Sequence, residues 1–389
     1  MREKEIKINK FSRKSKSWKP LKNLESLPKD IKEKSFLAGI DLKEETRSGT
    51  YFQINHSVIY ERVQKMFKNK IEVMSTREAL EKYDWLKDYF WKTISKDKDE
   101  FTKQADKNFD NGYFLRILPN AKIEIPIQSC LFISQENLNQ NVHNIIIAEE
   151  NSKAHIITGC TTSVERSLHV GISEFYIKKN AFLTFTMIHN WEKQTYVRPR
   201  TAAIIYDNGV FYCNYINIRP VKSLQMYPVA YCKGENSSAR FYTLLYGKEK
   251  AFMDVGSKIV LQGKNSSGEV TSRVVAEDES YIIARGLLVG ENPESKAHLE
   301  CRGLLLSKKA KIRAIPELLG LSEGSELSHE AAVGKIKPEE LYYLMSRGLS
   351  EEQAISLIVR GFLDVDIPGL PKKLKEDIKN AVEKTRKTM

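Results

Sequence analysis

The sequence predicts a mainly β protein whose centre is a β-helix-like solenoid with helical regions on both sides. Three observations indicate this fold: evenly spaced asparagines, short β-type runs between them, and helix-type periodicity outside them. We predict four regions: a basic N-terminal tail at 1–28, a helical region at 29–114, the solenoid at 115–325 and a second helical region at 326–389.

The N-terminal tail is basic. The first 35 residues contain 12 lysines and arginines against 5 acidic residues, in a chain of net charge +12. Such an arm could bind nucleic acid, but no RNA-binding pattern of glycines and aromatics follows, so we predict a solvated tail. No apolar run approaches the roughly 18 residues that span a bilayer, and the basic start has no apolar segment behind it. We therefore expect a cytoplasmic protein that does not contact membranes.

The first helical region is predicted from STREALEKYDWLKDYFWKTI, which opens with a capping box of Ser75 and Glu78. Apolar residues then recur on one helical face.

The solenoid is predicted from asparagines in similar turn-like settings. They are Asn120, Asn151, Asn180, Asn208, Asn236, Asn265 and Asn292, at spacings of 31, 29, 28, 28, 29 and 27 residues. β-type runs such as KIEIPIQ and FLTFTMI separate them. A period near 28 is typical of a solenoid in which each repeat buries its apolar side against the next. A β-sandwich is the alternative, although it does not require so even a spacing.

The second helical region is predicted from KPEELYYLMSRG and SEEQAISLIVRGF. Pro338 lies near a first turn, Gly348 lies beyond a helix end, and Ser350 with Gln353 forms a capping box. A last amphipathic segment carries Leu374, Ile378, Ala381 and Val382.

The five cysteines show no CxxC pair, which argues against zinc ribbons and thioredoxin-type redox motifs. Counted from the preceding asparagine, Cys160, His189 and Cys301 all fall at position 9 and are predicted to form one stacked line. Cys160 and His189 would lie on adjacent coils. Cys301 would lie five coils further on, roughly 24 Å away at about 4.8 Å per coil. Cys213 and Cys232 lie off this line.

Few chemical motifs are present. The absence of GxxxxGK[ST] and GxGxxG argues against nucleotide binding by this chain, and the absence of HExxH argues against a zinc metalloprotease. The strands also lack the acidic pairs of a polysaccharide-cleaving β-helix. Cys301, His329 and Glu330 remain; thiolate, imidazole and carboxylate are all iron ligands, but the spacing alone favours structural roles over ligation.

The segment SHEAAVGKIKPEELYYLMSRGLSEEQAISLIVRGF resembles the C-terminal part of the SufB/SufD family, the scaffold proteins of iron–sulfur cluster assembly. TGCTTSVERS, KKNAFLTFTMIHNW and YPVAYCKGENSSARFY extend the resemblance back to about Asn151. It implies a right-handed parallel β-helix core flanked by N-terminal and C-terminal helical regions, which agrees with the repeat.

Within that family the chain combines features of both arms. The SufB type has a cysteine 28 residues before a histidine that glutamate follows, as in Cys301, His329 and Glu330, whereas AVGKI is closer to SufD. This mixture resembles the single scaffold of minimal systems. It implies a homodimer that works with a SufC-like ABC ATPase, although pairing with a second SufB/D-like chain stays open.

The resemblance also implies a transient iron–sulfur cluster, expected to be [4Fe–4S], bound by Cys301 and Glu330. His329 would be a ligand or a neighbour of the cluster, and Cys213 and Cys232 would be either further ligands or core residues. No enzymatic activity is expected of this chain, because the partner would hydrolyse ATP. Recipient apo iron–sulfur proteins are the expected further partners.

For sulfur transfer, the resemblance implies that Cys160 receives sulfur and that a tunnel leads from it to Cys301. His189-Asn190-Trp191 resembles the family's Gln-Asn-Trp tunnel motif. Phe132 and Ser134 stand where the family has Arg and Asn, so free sulfide is an alternative to persulfide transfer by way of Cys160, His189 and Trp191.

The C-terminal helices are expected to dock the ATPase. The residues predicted to contact it are Tyr342, Leu344, Leu357, Ile358 and Phe362. The alternative function is a metal-free β-helix interaction protein that regulates an ABC ATPase.

Overall fold

The structure, a computed structural model, describes residues 6–363 and residue 376. Its α-helices in this part of the chain are α1 (Lys29–Leu37), α2 (Thr76–Lys82), α3 (Glu100–Lys107), α4 (Pro338–Ser346) and α5 (Glu351–Leu363). Short 3₁₀ turns occupy Ile8–Lys10, Leu24–Ser26, Glu44–Thr46, Lys65–Phe67 and Asp84–Asp88.

The β-strands account for most of the regular structure. They are β1 (Gly49–Ile54), β2 (Ser57–Val63), β3 (Ile71–Ser75), β4 (Tyr113–Ile117), β5 (Ile127–Ile133), β6 (Leu138–Ala148), β7 (Lys153–Thr162), β8 (Ser167–Ile177), β9 (Phe182–Asn190), β10 (Tyr196–Val197), β11 (Arg200–Ile205), β12 (Val210–Asn217), β13 (Ser223–Met226), β14 (Val229–Cys232), β15 (Ser238–Gly247), β16 (Phe252–Leu261), β17 (Ser267–Ala276), β18 (Tyr281–Gly290), β19 (Lys296–Leu305), β20 (Lys311–Gly320) and β21 (Glu326–Lys335).

These strands form a parallel β-solenoid of about 8 turns with helices at both ends, which confirms the predicted fold class. Sheet 1 has the order β2-β1-β5-β7-β9-β12-β15-β17-β19-β21. Sheet 2 contains β3, β4, β6 and β8, then β10 to β14 except β12, then β16, β18 and β20. Along the solenoid each turn supplies sheet 1 and then sheet 2, so one sequence repeat is one coil and the β-sandwich alternative is wrong.

The asparagines explain the turns. Asn120, Asn151, Asn180, Asn208, Asn236 and Asn265 have positive φ angles of 53° to 61°, a left-handed conformation that asparagine tolerates better than other non-glycine residues. The side-chain amides of the first five form a ladder, with each Nδ2 donating to the Oδ1 of the preceding coil at 2.8 to 3.0 Å. Geometry and hydrogen bonding therefore both favour asparagine once per coil.

Asn292 does not continue this column. Ser267 pairs with Lys296, so the residue opposite Asn265 is Glu294, two positions after Asn292. The Asn292 side chain donates instead to the carbonyl of Gln262 at 3.3 Å. Counting positions from Asn292 therefore introduces an error of two residues into the last coils.

The apolar core fills the space between the two sheets. Phe175 of sheet 2 packs against Phe185 and Phe211 of sheet 1, with ring centroids 4.8 and 5.0 Å apart. All three rings are buried. Truncation of such a ring typically costs about 3–5 kcal/mol, so stacked aromatics of this kind hold neighbouring coils together.

The N-terminal part differs from the prediction. Strands β1 to β3 lie in the region predicted to be helical, and the antiparallel pairs β1–β2 and β3–β4 extend the two sheets beyond the first coils. The described part of the predicted tail is packed rather than solvated, because Phe11, Leu24 and Leu27 are buried between its basic residues. Arg13 also pairs with Asp110.

The C-terminal boundary differs as well. The solenoid continues through β21, so the helices begin at Pro338 and not at residue 326. Helix α5 then returns onto the outer face of sheet 1, where Val359 and Leu363 pack with Val275 and Leu304. The apolar residues of the predicted amphipathic segment, Leu374, Ile378, Ala381 and Val382, lie outside the described residues. Among the described residues, no helix is long and apolar enough to cross a membrane.

Candidate functional site

The last coil of the solenoid is open. Within the described chain, β20 pairs only with β18 and β21 only with β19, so each strand leaves one edge without a partner. Side chains on both faces of these strands are exposed, although the corresponding side chains of earlier coils are buried. Leu318, Leu319 and Val333 are exposed to 37%, 46% and 41%. Unpaired edges and exposed apolar side chains are features that another chain can cover.

Cys301 lies one strand inside this end, on β19. Its side chain faces the lumen and is buried. The hydroxyl of Ser272 on β17 donates to its sulfur at 3.2 Å. Burial raises the pKa of the Cys301 thiol, so the resting side chain is protonated and a metal would have to displace its proton.

His329 and Glu330 lie on β21 itself, and not past the end of the solenoid as predicted. Cys301 pairs with Ala331, two residues from His329, and alternate residues of a strand face the same side. Cys301 and His329 therefore share the lumen side, whereas Glu330 faces outward.

Glu330 belongs to a charge network on that outer face. Its carboxylate lies 3.4 Å from the guanidinium of Arg302, which pairs with Glu300 at 2.7 Å. Glu300 also pairs with Arg273 at 2.8 Å. Glu330 would have to leave Arg302 before it could bind a metal on the lumen side.

The predicted ligand set is thus not assembled in one chain. No group of three or more histidine, cysteine, aspartate or glutamate side chains that could hold a metal occurs in the part of the chain that the structure describes. A single chain offers the Cys301 thiol with the His329 imidazole nearby. Both are ligand types that iron accepts, but two side chains are too few to hold a cluster.

A second polar cluster surrounds Cys160 on β7. Cys160 is completely buried and faces the lumen, and burial raises its pKa well above the ordinary thiol value. His189 on β9 is in register with it, and burial lowers the pKa of that imidazole well below the ordinary value. At rest the pair is therefore a neutral thiol beside a neutral imidazole, with no thiolate for sulfur chemistry.

Polar side chains connect the two cysteines. The hydroxyl of Tyr215 hydrogen-bonds to Nδ1 of His189 at 2.7 Å. Tyr215, Thr243, Ser272 and Cys301 are then in register on four successive strands of sheet 1. We call Cys160, His189, Tyr215, Thr243, Ser272 and Cys301 the polar column.

The polar column corrects one prediction. Cys160 and His189 are on adjacent coils, and β7 and β19 are five strands apart in sheet 1, as predicted. Cys301, however, is not in register with Cys160 and His189. Followed strand by strand, its partners in sheet 1 lead back to Tyr215 on β12, whereas the residue of β12 opposite His189 is Asn217, two positions later. The miscounted Asn292 turn caused the error. Residues 215, 243, 272 and 301 are spaced by 28, 29 and 29, close to the repeat length, and this spacing could have revealed Tyr215, Thr243 and Ser272, which the prediction missed.

Trp191 lies beside this column. Its ring centroid is 5.2 Å from those of both His169 and His189. Its own Nε1 is buried without a hydrogen-bond partner among the described residues. The same is true of His189 Nε2 and of the side-chain amide of Asn217. The lumen is therefore under-satisfied at this point, where a polar guest could bind.

Cys213 and Cys232 lie on strands in the middle of the solenoid, away from its open end. Cys213 on β12 lies between Phe185 and Phe241 in the register of sheet 1, and Cys232 is on β14 of sheet 2. Both belong to the apolar core, and burial raises the pKa of each thiol to about 12. Their surroundings favour the core alternative over ligation.

The predicted docking residues divide into two groups. Tyr342 on α4 and Leu357 on α5 are exposed, at 67% and 38%. Leu344 and Ile358 are partly buried. Phe362 packs on the solenoid near Arg273, with the guanidinium 5.9 Å from its ring centroid, and so helps to hold α5 in place.

The buried histidines predict a pH-dependent stability. Burial lowers the pKa of His169 to about 3 and that of His189 well below its ordinary value. Below about pH 6.5 the unfolded chain therefore binds more protons than the folded chain. The contribution of these neutral histidines to the free energy of unfolding is fully present above that pH. It is lost as the pH falls towards 4, by up to about 1.4 kcal/mol per pH unit for each histidine.

Urea unfolding of the wild type and His169→Gln between about pH 7.5 and 4.5 measures this effect. The variant should lose stability less steeply on acidification, by about 1 kcal/mol per pH unit. Identical slopes would show that His169 is not buried as a neutral imidazole.

Comparison with known proteins adds to this geometry. A family model described as "SUF system FeS cluster assembly, SufBD core domain" matches residues 131–362. A protein of Methanothermobacter thermautotrophicus called an iron–sulfur cluster assembly SufBD family protein is 48% identical over 370 residues, covering 93% of this chain and 89% of its own length. One of Archaeoglobus fulgidus with the same description is 49% identical, with coverage of 90% and 94%, and one of Pyrococcus horikoshii is 36% identical, with coverage of 93% and 82%.

Proposed function

Because the chain belongs to the SufBD family of iron–sulfur cluster assembly proteins, we propose that it is a scaffold on which a nascent cluster forms. The polar column is the observation that carries this proposal. It links a completely buried cysteine, Cys160, to a second cysteine one strand from the open end, through side chains that are in register or hydrogen-bonded. An apolar solenoid core needs no such column, since buried polar groups cost stability.

The open end supports a homodimer. Two copies related by a two-fold axis could pair the free edges of β20 or β21 and bury the exposed residues Leu318, Leu319 and Val333. This arrangement would bring two Cys301 thiols and two His329 imidazoles to one interface. It would supply the ligands that a single chain lacks, for a transient cluster of the [4Fe–4S] type.

In this proposal Cys301 is the anchoring ligand and His329 a ligand or close neighbour. Glu330 would join them only after its ion pair with Arg302 opens and β21 moves relative to β19. A SufC-like ABC ATPase would drive that movement by shifting the population of the interface. Sulfur would enter the column near Cys160, His189 and Trp191, and recipient apo iron–sulfur proteins would accept the finished cluster.

Helix α4 is the proposed docking surface for the ATPase. It is amphipathic, begins at Pro338 and contributes no buried residue to the described fold. Tyr342 and Tyr343 are exposed on it at 67% and 58%. Large exposed aromatic residues are common anchors of protein interfaces.

Tyr342→Asp should weaken binding of a SufC-like ATPase by about 10- to 100-fold, because it removes an aromatic anchor and introduces a charge. Isothermal titration calorimetry with the purified ATPase measures the effect. Met66→Asp is the matched control, since Met66 is equally exposed, at 70%, on a different surface. Equal losses in both variants, or none in Tyr342→Asp, would contradict docking on α4.

Anaerobic reconstitution with iron and sulfide tests the proposed function itself. The wild-type chain should develop a cluster absorption band and retain iron and acid-labile sulfide after desalting. A chain that stays free of metal but still stimulates the ATPase would instead indicate the alternative, a metal-free regulator of that ATPase.

A further inference from the structure

A basic cavity opens on the side of the solenoid, at the ends of strands β9, β12 and β15. Its volume is about 350 Å³, and helix α1 contributes Lys34 and Leu37 to its wall. The other charged lining residues are Glu192, Lys193, Arg219, Lys248 and Glu249. Four cations against two carboxylates give it a formal net charge of +2.

The two carboxylates are already paired. Glu192 forms an ion pair with Lys34, and Glu249 forms one with Lys193 at 2.5 Å. This pairing leaves the charges of Arg219 and Lys248 without a matching anion in the cavity wall.

Arg219 forms no hydrogen bond or close ion pair with the described residues. It is half-buried, and burial lowers the pKa of its guanidinium, with only a weaker opposing effect from Glu192. A desolvated arginine without a partner is unfavourable in the free protein. Its planar donor group matches an oxyanion, which it can bind through two parallel hydrogen bonds.

Lys248 adds a second positive charge that is incompletely paired. Its side chain is only 1% exposed, and its ammonium has no hydrogen-bond partner among the described residues. The nearest carboxylate, Glu277, is 3.5 Å away and also accepts a hydrogen bond from Tyr246. The ammonium is therefore incompletely satisfied beside the cavity.

Apart from Asn190, the remaining wall is formed by apolar and aromatic residues and suits an organic molecule. Leu37, Trp191 and Pro220 line it. A second cavity of about 340 Å³ adjoins it through Lys193, Pro220, Lys248 and Glu249. A volume of this size lies in the range of pockets that hold small organic ligands.

We propose that this cavity, which Trp191 helps to line, is a binding site for a small organic oxyanion, a carboxylate or phosphate, held by Arg219 with Lys248. The proposal does not depend on cluster assembly and would stand if that function failed.

Fluorescence titration of the full chain tests the site, because Trp191 is one of its lining residues. Inorganic phosphate, glycerol 3-phosphate and acetate are the probes, at an ionic strength held constant with chloride. At least one probe should bind saturably. Tighter binding of glycerol 3-phosphate than of phosphate would support an organic phosphate as the ligand, and acetate binding alone would support a carboxylate.

The variants are designed to separate this site from general charge effects. Arg219→Gln should weaken binding at least about tenfold, and Arg219→Lys less, because a charge without the planar fork remains. Lys264→Gln removes one charge on an exposed turn outside the cavity and should leave the affinity unchanged. Trp191→Phe should reduce the fluorescence response, while calorimetry still detects binding.

Folding does not limit the test, since Arg219 has no hydrogen bond or close ion pair among the described residues to lose, and Arg219→Gln should not lower the melting temperature. Absence of saturable binding for all three probes would overturn the proposal. So would equal affinity in the wild type and Arg219→Gln, or an equal loss in Lys264→Gln.

Discussion

Replacement of Val333 by aspartate is expected to convert the proposed homodimer into a folded monomer. Val333 lies on β21, faces the lumen side of the open coil and is 41% exposed in the single chain. In a two-fold interface the substitution would bury a carboxylate from each copy near the other, without compensating cations. We expect the dimer dissociation constant to rise by at least about 100-fold.

Light scattering after size exclusion measures the change, since the chain mass is 44.7 kDa. The free energy of unfolding of the monomer should change by less than about 1 kcal/mol, because the site is exposed there. Met66→Asp, at the opposite end of the solenoid, should remain dimeric. A Val333→Asp protein that is still dimeric would place the interface elsewhere.

Cys301→Ala should abolish retention of the cluster. The thiol is the only cysteine sulfur within one strand of the open end among the described residues, so its removal leaves no thiolate ligand at the proposed site. We expect the retained iron and sulfide to fall at least about tenfold after desalting.

Cys213→Ala is the matched control, because it removes another buried thiol from sheet 1. Its thiol contacts the aromatic core, so the variant should lose about 1 kcal/mol of stability and keep the cluster. Equal cluster loss in both variants would identify Cys213 as a ligand, and an undiminished band in Cys301→Ala would exclude Cys301.

Much of the fold was predictable because one physical requirement recurs in every coil. The left-handed turn position selects asparagine, and its amide ladder repeats that selection at Asn151, Asn180 and Asn208. The period therefore appeared directly in the sequence. Asn292 shows the limit of this signal: its amide donates to the backbone carbonyl of Gln262 and not to another asparagine, so an asparagine alone does not fix the register.

The N-terminal part was less predictable because its structure depends on the solenoid. Strand β1 pairs with β5, more than 70 residues later in the chain, and Phe11 is buried against residues such as Leu168 and Val170. The local pattern of apolar residues carries no information about such long-range contacts. A basic segment with scattered apolar residues therefore looked like a solvated tail.

The candidate site was predictable in part. Cys301, His329 and Glu330 were found through the family resemblance, but their orientation required the strand register, which places Glu330 on the opposite face from the other two. The basic cavity was not predictable, because Lys34 comes from α1 whereas Arg219 and Lys248 come from two separate coils.

Native mass spectrometry of the anaerobically reconstituted protein tests the central claim most directly, namely that the cluster forms at Cys301 between two copies of the chain. We predict that the cluster mass appears only on a species of two 44.7 kDa chains, and that monomers carry no iron or sulfide. A cluster bound to the single chain, or a dimer that retains its cluster in Cys301→Ala, would contradict the claim.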